Sequence, residues 1–90
     1  MTTSGPKVDS RAVQVRVDDD ELSVDLADGR RISVPLAWFP RLLHAEPAQR
    51  QNWRLLGDGQ GIHWPDIDED LSVEGLLRGA AAPGASRRAV

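Results

Sequence analysis

Apolar and polar positions alternate in three successive stretches: Val13, Val15 and Val17, then Leu22, Val24 and Leu26, then Ile32 and Val34. A period of two carried by β-branched residues predicts three half-buried strands. Their register follows from the same pattern, because a slip of one residue would turn every side chain to the opposite face. Pairing Val17 with Leu22 sets Val15 opposite Val24 and Val13 opposite Leu26, with Asp19-Asp20 as the tight turn. For the next connection, a two-residue Asp28-Gly29 turn would set Leu26 against Arg31 and Asp25 against Ile32, polar against apolar. A three-residue loop Ala27-Asp28-Gly29, with Gly29 left-handed in a bulge, instead pairs Val24 with Ile32 and Leu22 with Val34.

After Pro35 the period changes. Leu36, Phe39, Leu42 and Leu43 recur at helical spacing, but Pro40 lacks an amide hydrogen and belongs at a helix start. The pattern predicts a turn or short 3₁₀ piece before Pro40, a helix from it, and a second short helix from Pro47 through Asn52. Two apolar runs, Trp53 to Leu56 and Ile62 to Trp64, flank Gly57-Asp58-Gly59-Gln60-Gly61 and read as a second hairpin. Ser72 is the expected N-cap of a last helix, with Glu74 in its first turn, Leu71 placed to staple onto Leu76, and Gly79 as its end. The expected fold is α+β: a small antiparallel sheet, made of a three-stranded meander plus a C-terminal hairpin, with two or three short helices.

Composition narrows the function. The chain has 90 residues, 40% hydrophobic and none cysteine, enough for one domain without disulfides or thiolate-bound zinc. Residues 9–79 are the expected domain, with residues 1–8 and 80–90 as disordered ends. Lack of cysteine fits a reducing cytoplasm, and no apolar run is long enough for a membrane span. The net charge is −3, and Arg87 and Arg88 lie in the tail, so the body is more acidic than the total. Such a body repels phosphate backbones and points away from direct nucleic-acid binding.

Candidate chemistry concentrates in Gly61-Ile62-His63-Trp64-Pro65-Asp66-Ile67-Asp68-Glu69-Asp70. Asp66, Asp68 and Asp70 have the one-three-five spacing of a calcium loop, but its turn glycine would fall at Leu71 and its bidentate glutamate at Leu77. The acids are instead expected to cap and solvate the last helix. His63 and His44 form no recognisable zinc motif, and His63 should face away from Ile62 and Trp64 as a hydrogen-bonded or solvent-facing residue. No serine sits in a nucleophile elbow, and the glycine-rich loop lacks the basic residue and helix start of a phosphate cradle. Trp38, Trp53, Trp64 and Phe39 are expected chiefly in the core, with Trp38 or Trp64 partly exposed beside the acids as an anchor for a partner. The candidate partner surface is therefore Trp38, His63, Trp64, Asp66, Asp68, Glu69 and Asp70, with no catalytic or metal residue and no cofactor.

Three stretches carry a resemblance: Leu22 to Arg30, Val34 to Leu42 with its Trp38-Phe39-Pro40, and Gly61 to Asp70 with its Trp64-Pro65-Asp66. Over Val13 to Gly79 the chain resembles the bacterial "domain of unknown function 2442" family. The resemblance implies a small α+β domain with an antiparallel sheet and no established catalytic residues. Family members are often encoded beside another small protein, in pairs that look like toxin and antitoxin genes, and some carry a helix-turn-helix after this domain. The segment after Gly79 is too short for that module. The expected function is a non-enzymatic protein-interaction module, the antitoxin-like member of a two-protein pair, with a basic partner encoded nearby and self-association left open. A DNA-binding regulator is the alternative, and a small enzyme or metal-binding protein ranks third.

Overall fold

In the computed structural model, residues 8–80 are described. The two segments expected to be disordered therefore lie outside the described residues, apart from Val8 and Ala80.

The first sheet is the expected meander: β1 (Ala12–Val17), β2 (Glu21–Leu26) and β3 (Arg31–Pro35), in the order β1-β2-β3 and antiparallel throughout. Val17 pairs with Leu22, Val15 with Val24, Val24 with Ile32 and Leu22 with Val34. The loop after β2 has three residues, closed by Leu26 N–H donating to the Arg30 carbonyl at 2.8 Å, and Gly29 stands at φ +97°. One pairing differs. The register shifts between Ala12 and Gln14, so Ala12 rather than Val13 opposes Leu26. Val13 is the extra residue of a β-bulge; it is 53% exposed, and Ala12 takes the buried position.

A 3₁₀ turn (Leu36–Trp38) leads into α1 (Pro40–Leu43), and α2 (Pro47–Gln51) follows. Both helices begin on a proline, whose missing amide hydrogen would have had no intrahelical acceptor. In α2 the Gln49 side chain reaches back to accept the Glu46 N–H at 2.9 Å.

The second sheet is larger than the expected hairpin. It holds β4 (Arg54–Leu56), β5 (Gly61–Trp64) and β6 (Glu69–Ser72), in the order β4-β5-β6. A 3₁₀ turn (Gly57–Gly59) joins β4 to β5, and α3 (Val73–Arg78) follows β6 directly. Ser72 caps α3 by accepting the Gly75 N–H at 2.9 Å, and left-handed Gly79 ends it.

One hydrophobic cluster draws on both sheets and the helices between them. It unites Val15, Leu22 and Val24 of the meander with Leu36, Phe39 and Leu42 of the connection, Ile62 and Trp64 of β5, and Val73 and Leu76 of α3. The join between sheets is tight at Gly59, where a Cβ would lie 2.5 Å from the Ala12 carbonyl oxygen. Glycine at φ +92° is therefore required both by backbone conformation and by the approach of β1. Among the described residues no helix is long and apolar enough to cross a membrane.

Candidate functional site

The acidic run does not solvate the start of α3 as expected. It forms the turn and second strand of the β5–β6 hairpin, with Trp64 paired to Glu69, His63 to Asp70 and Ile62 to Leu71. Directly opposed residues share a face, and this parity separates the candidate side chains.

Trp64 and Glu69 face inward. Trp64 is wholly buried and its indole N–H donates to the Arg50 carbonyl at 3.0 Å, which removes it from any partner surface. The expectation that Trp64 stands partly exposed is corrected by the parity of β5, which aligns it with Ile62 and the core. Glu69 is half-buried; burial pushes its carboxyl above the usual carboxylate range, partly offset by the charge of Arg41.

His63 and Asp70 face outward, joined through the imidazole Nδ1 and an Asp70 carboxylate oxygen. His63 thus has the outward, hydrogen-bonded setting expected of it. In the turn between the strands, the Asp66 carboxylate accepts from the Asn52 side-chain amide at 3.0 Å. Asp68 stands at φ +53°, a conformation aspartate tolerates better than most residues, and its carbonyl accepts from the Arg41 guanidinium. Trp38 is elsewhere: it is half-buried with its ring against Gly79, where a Cβ would meet its Cη2 at 3.9 Å. The seven candidates therefore divide between the core, the outer face of the second sheet, the β5–β6 turn and the end of α3.

A second acidic run escaped the sequence reading as a site. Asp18, Asp19, Asp20 and Glu21 form the β1–β2 turn. The Asp18 carboxylate accepts the backbone N–H groups of Glu21 and Asp20, both at 2.8 Å, which hold it below the usual carboxylate range. Three consecutive residues tie this turn to the other acidic turn. Arg50 donates to Asp19 at 2.8 Å, Gln51 to the Val17 carbonyl at 3.2 Å, and Asn52 to Asp66. The two acidic turns consequently flank the end of α2. The signal was present as four adjacent acids, but a turn between strands is polar by default.

Among the described residues no group of three or more His, Asp or Glu side chains could hold a metal ion. Ser23 and Ser33 hydrogen-bond to each other across β2 and β3 at 3.0 Å, and Ser10 accepts from Arg30. The glycine-rich turn presses Gly59 onto the β1 backbone, which leaves that residue no room to cradle a phosphate.

Comparison with known proteins agrees with this architecture. The family profile described as "Protein of unknown function (DUF2442)" matches residues 12–82. The crystal structure of a protein of unknown function from Rhodospirillum rubrum is similar at 33% identity with a TM-score of 0.71, covering 82% of this chain and 92% of that one. The solution structure of an uncharacterised protein from Chromobacterium violaceum shares the fold at 22% identity with a TM-score of 0.67, covering 82% of this chain and 70% of that one. No curated protein matches the chain.

Proposed function

The chain belongs to the DUF2442 family of proteins of unknown function, and from that premise we propose that it is a non-enzymatic interaction module whose acidic end receives a basic protein partner. The observation that carries this reading is the placement of the acidic turns, Asp18 to Glu21 and Asp66 to Asp68, on either side of α2. The nearby arginines neutralise that end only in part. Arg50 is buried and committed to Asp19, and Arg41 donates to a backbone carbonyl rather than to a carboxylate. Exposed carboxylates in this arrangement accelerate encounter with a cationic surface and disfavour phosphate backbones. In the cell the chain would act in the cytoplasm as the antitoxin-like member of a two-protein pair. A DNA-reading role draws less support, because most described arginines are already paired with aspartates.

The test is capture from the native host by the wild-type chain and by a variant carrying Asp20→Asn, Asp66→Asn and Asp68→Asn. The proposal expects a basic protein held by the wild type, released by added salt, and captured far less by the variant. Equal capture by both chains would exclude the acidic end as the interface.

A further inference from the structure

We propose that the outer face of the second sheet carries a binding site for a phosphate group, formed by Arg54, His63 and Ser72 around Gly61. The site is distinct from the acidic end and does not depend on the reading given above.

The first observation is an imbalance among the arginines. Arg11 is paired with Asp9, Arg30 with Asp28, Arg16 and Arg31 with Asp25, Arg50 with Asp19, and Arg78 lies 3.8 Å from Glu74. Arg41 donates to the Asp68 carbonyl. Arg54 is the one described arginine whose side chain has neither a hydrogen bond nor an ion pair. A planar fork of donors therefore stands open on a surface where every comparable group is engaged.

The second observation is what stands beside it. Arg54 is directly opposite His63, and His63 is directly opposite Asp70, so the three side chains form one row across the outer face. Asp70 engages Nδ1 of His63, which orients the ring and leaves Nε2 without a hydrogen bond among the described residues. In the next row Leu56, Gly61 and Ser72 are opposite one another. The Ser72 hydroxyl oxygen accepts the Gly75 N–H, and its own hydrogen remains able to donate outward.

Gly61 leaves a notch between these groups. A Cβ there would lie 3.5 Å from the Leu71 carbonyl oxygen, 3.6 Å from the Leu56 Cβ and 3.9 Å from the Leu56 Cδ1, so the notch is bordered by the Leu56 side chain and a larger residue would fill it. Strand register sets a guanidinium, an imidazole and a hydroxyl on one face around this notch, each carried by a different strand. A tetrahedral oxyanion, with separate oxygens for separate donors, suits that arrangement better than a planar carboxylate, which the arginine fork alone would satisfy. Asp70 is the one carboxylate in the row, and its contact with His63 directs part of its charge to the imidazole.

The experiment is a two-dimensional amide NMR titration of the full chain with inorganic phosphate, with acetate and sodium chloride at matched ionic strength alongside. The expected result is saturable phosphate-dependent shifts confined to Arg54, Gly61, His63 and Ser72, with apparent affinity reduced at least tenfold in Arg54→Gln and reduced in His63→Gln. Both residues point outward, and retained spectral dispersion in each variant will report an intact fold. Shifts that grow linearly and match those from sodium chloride, or saturation unchanged in Arg54→Gln, would overturn the site. Saturation by acetate as tight as by phosphate would overturn the assignment to a tetrahedral ligand.

Discussion

The indole N–H of Trp64 holds the backbone carbonyl of Arg50 at 3.0 Å, and the Arg50 side chain in turn fastens two other parts of the molecule. Its Nε donates to the Leu42 carbonyl at 3.0 Å and one Nη to the Leu43 carbonyl at 2.8 Å, both at the end of α1. The other Nη donates to Asp19 in the β1–β2 turn. The last carbonyls of a helix have no intrahelical donor; the Leu42 carbonyl also accepts the Ala45 N–H at 3.2 Å, and the buried guanidinium adds a second bond there and serves the Leu43 carbonyl. Core, helix end and acidic turn meet at this one residue.

Arg50→Met is therefore expected to lower the unfolding free energy by about 2–4 kcal/mol, because it removes the donors from buried carbonyls as well as an ion pair. Asp19→Asn should cost about 1 kcal/mol or less, since the Asp19 side chain is 92% exposed and water screens its charge. Trp64→Phe should fall between them at about 1–3 kcal/mol, combining a lost hydrogen bond with a small cavity. Urea denaturation of the three variants checks this order. If Arg50→Met and Asp19→Asn are equally mild, water has reached the α1 carbonyls and the guanidinium is dispensable.

Two glycines separate backbone strain from crowding. At Gly29 a Cβ would meet nothing within 4 Å, so Gly29→Val should destabilise through the left-handed backbone alone, by about 1 kcal/mol or somewhat more. At Gly59 the smaller change Gly59→Ala meets the Ala12 carbonyl oxygen at 2.5 Å in addition. It should cost more than Gly29→Val despite adding fewer atoms. The reverse order in thermal melts would mean that β1 can withdraw from the turn.

The meander was legible because both of its faces are consistent: three strands alternate, and only one register of the Asp28-Gly29 loop keeps apolar residues together. The helix starts at Pro40 and Pro47 were legible because proline chemistry allows few other places. Val13 was not. Its β-branched side chain fits the alternation better than Ala12 does, and nothing local marks a bulge that forms where Gly59, distant in sequence, lies against the Ala12 backbone. Strand β6 was hidden because Glu69 and Asp70 have poor strand propensity and only Leu71 supplies an apolar signal. Arg50 looked like an ordinary helix-surface residue, since the carbonyls it satisfies are distant in space from anything its neighbours reveal.

The start of α3 offers a narrower test. Ser72 is both the last residue of β6 and the N-cap, and its hydroxyl oxygen accepts the Gly75 N–H. Ser72→Ala should lower stability by about 1 kcal/mol, as a six-residue helix has few other means of satisfying its first amides. Ser72→Asp, which retains an acceptor at the cap, should restore most of the loss. A midpoint unchanged in Ser72→Ala would show that water serves this amide equally well.

Acid titration should reveal two carboxylates acting in opposite directions. Asp28 is held at about 2, first by the Arg30 guanidinium and then by the backbone N–H groups of Asp9 and Arg30. Its folded-state value lies below the ordinary 3.8, so its contribution to stability is complete above that pH and is lost as pH falls toward 2. Glu69 is raised above its ordinary 4.5 by burial. Its neutral form suits the folded state, so stability linked to it is complete below 4.5 and declines as pH rises through the raised value. Glu69→Gln should consequently be more stable than the wild type at pH 7, with the advantage disappearing below about pH 4.5. Asp28→Asn should be less stable at pH 7, and its deficit should shrink between pH 4 and pH 2. Urea midpoints for both variants across pH 2–7 measure these slopes. A Glu69→Gln variant that tracks the wild type throughout would mean that attraction to Arg41 fully offsets the burial of the carboxylate in the folded chain.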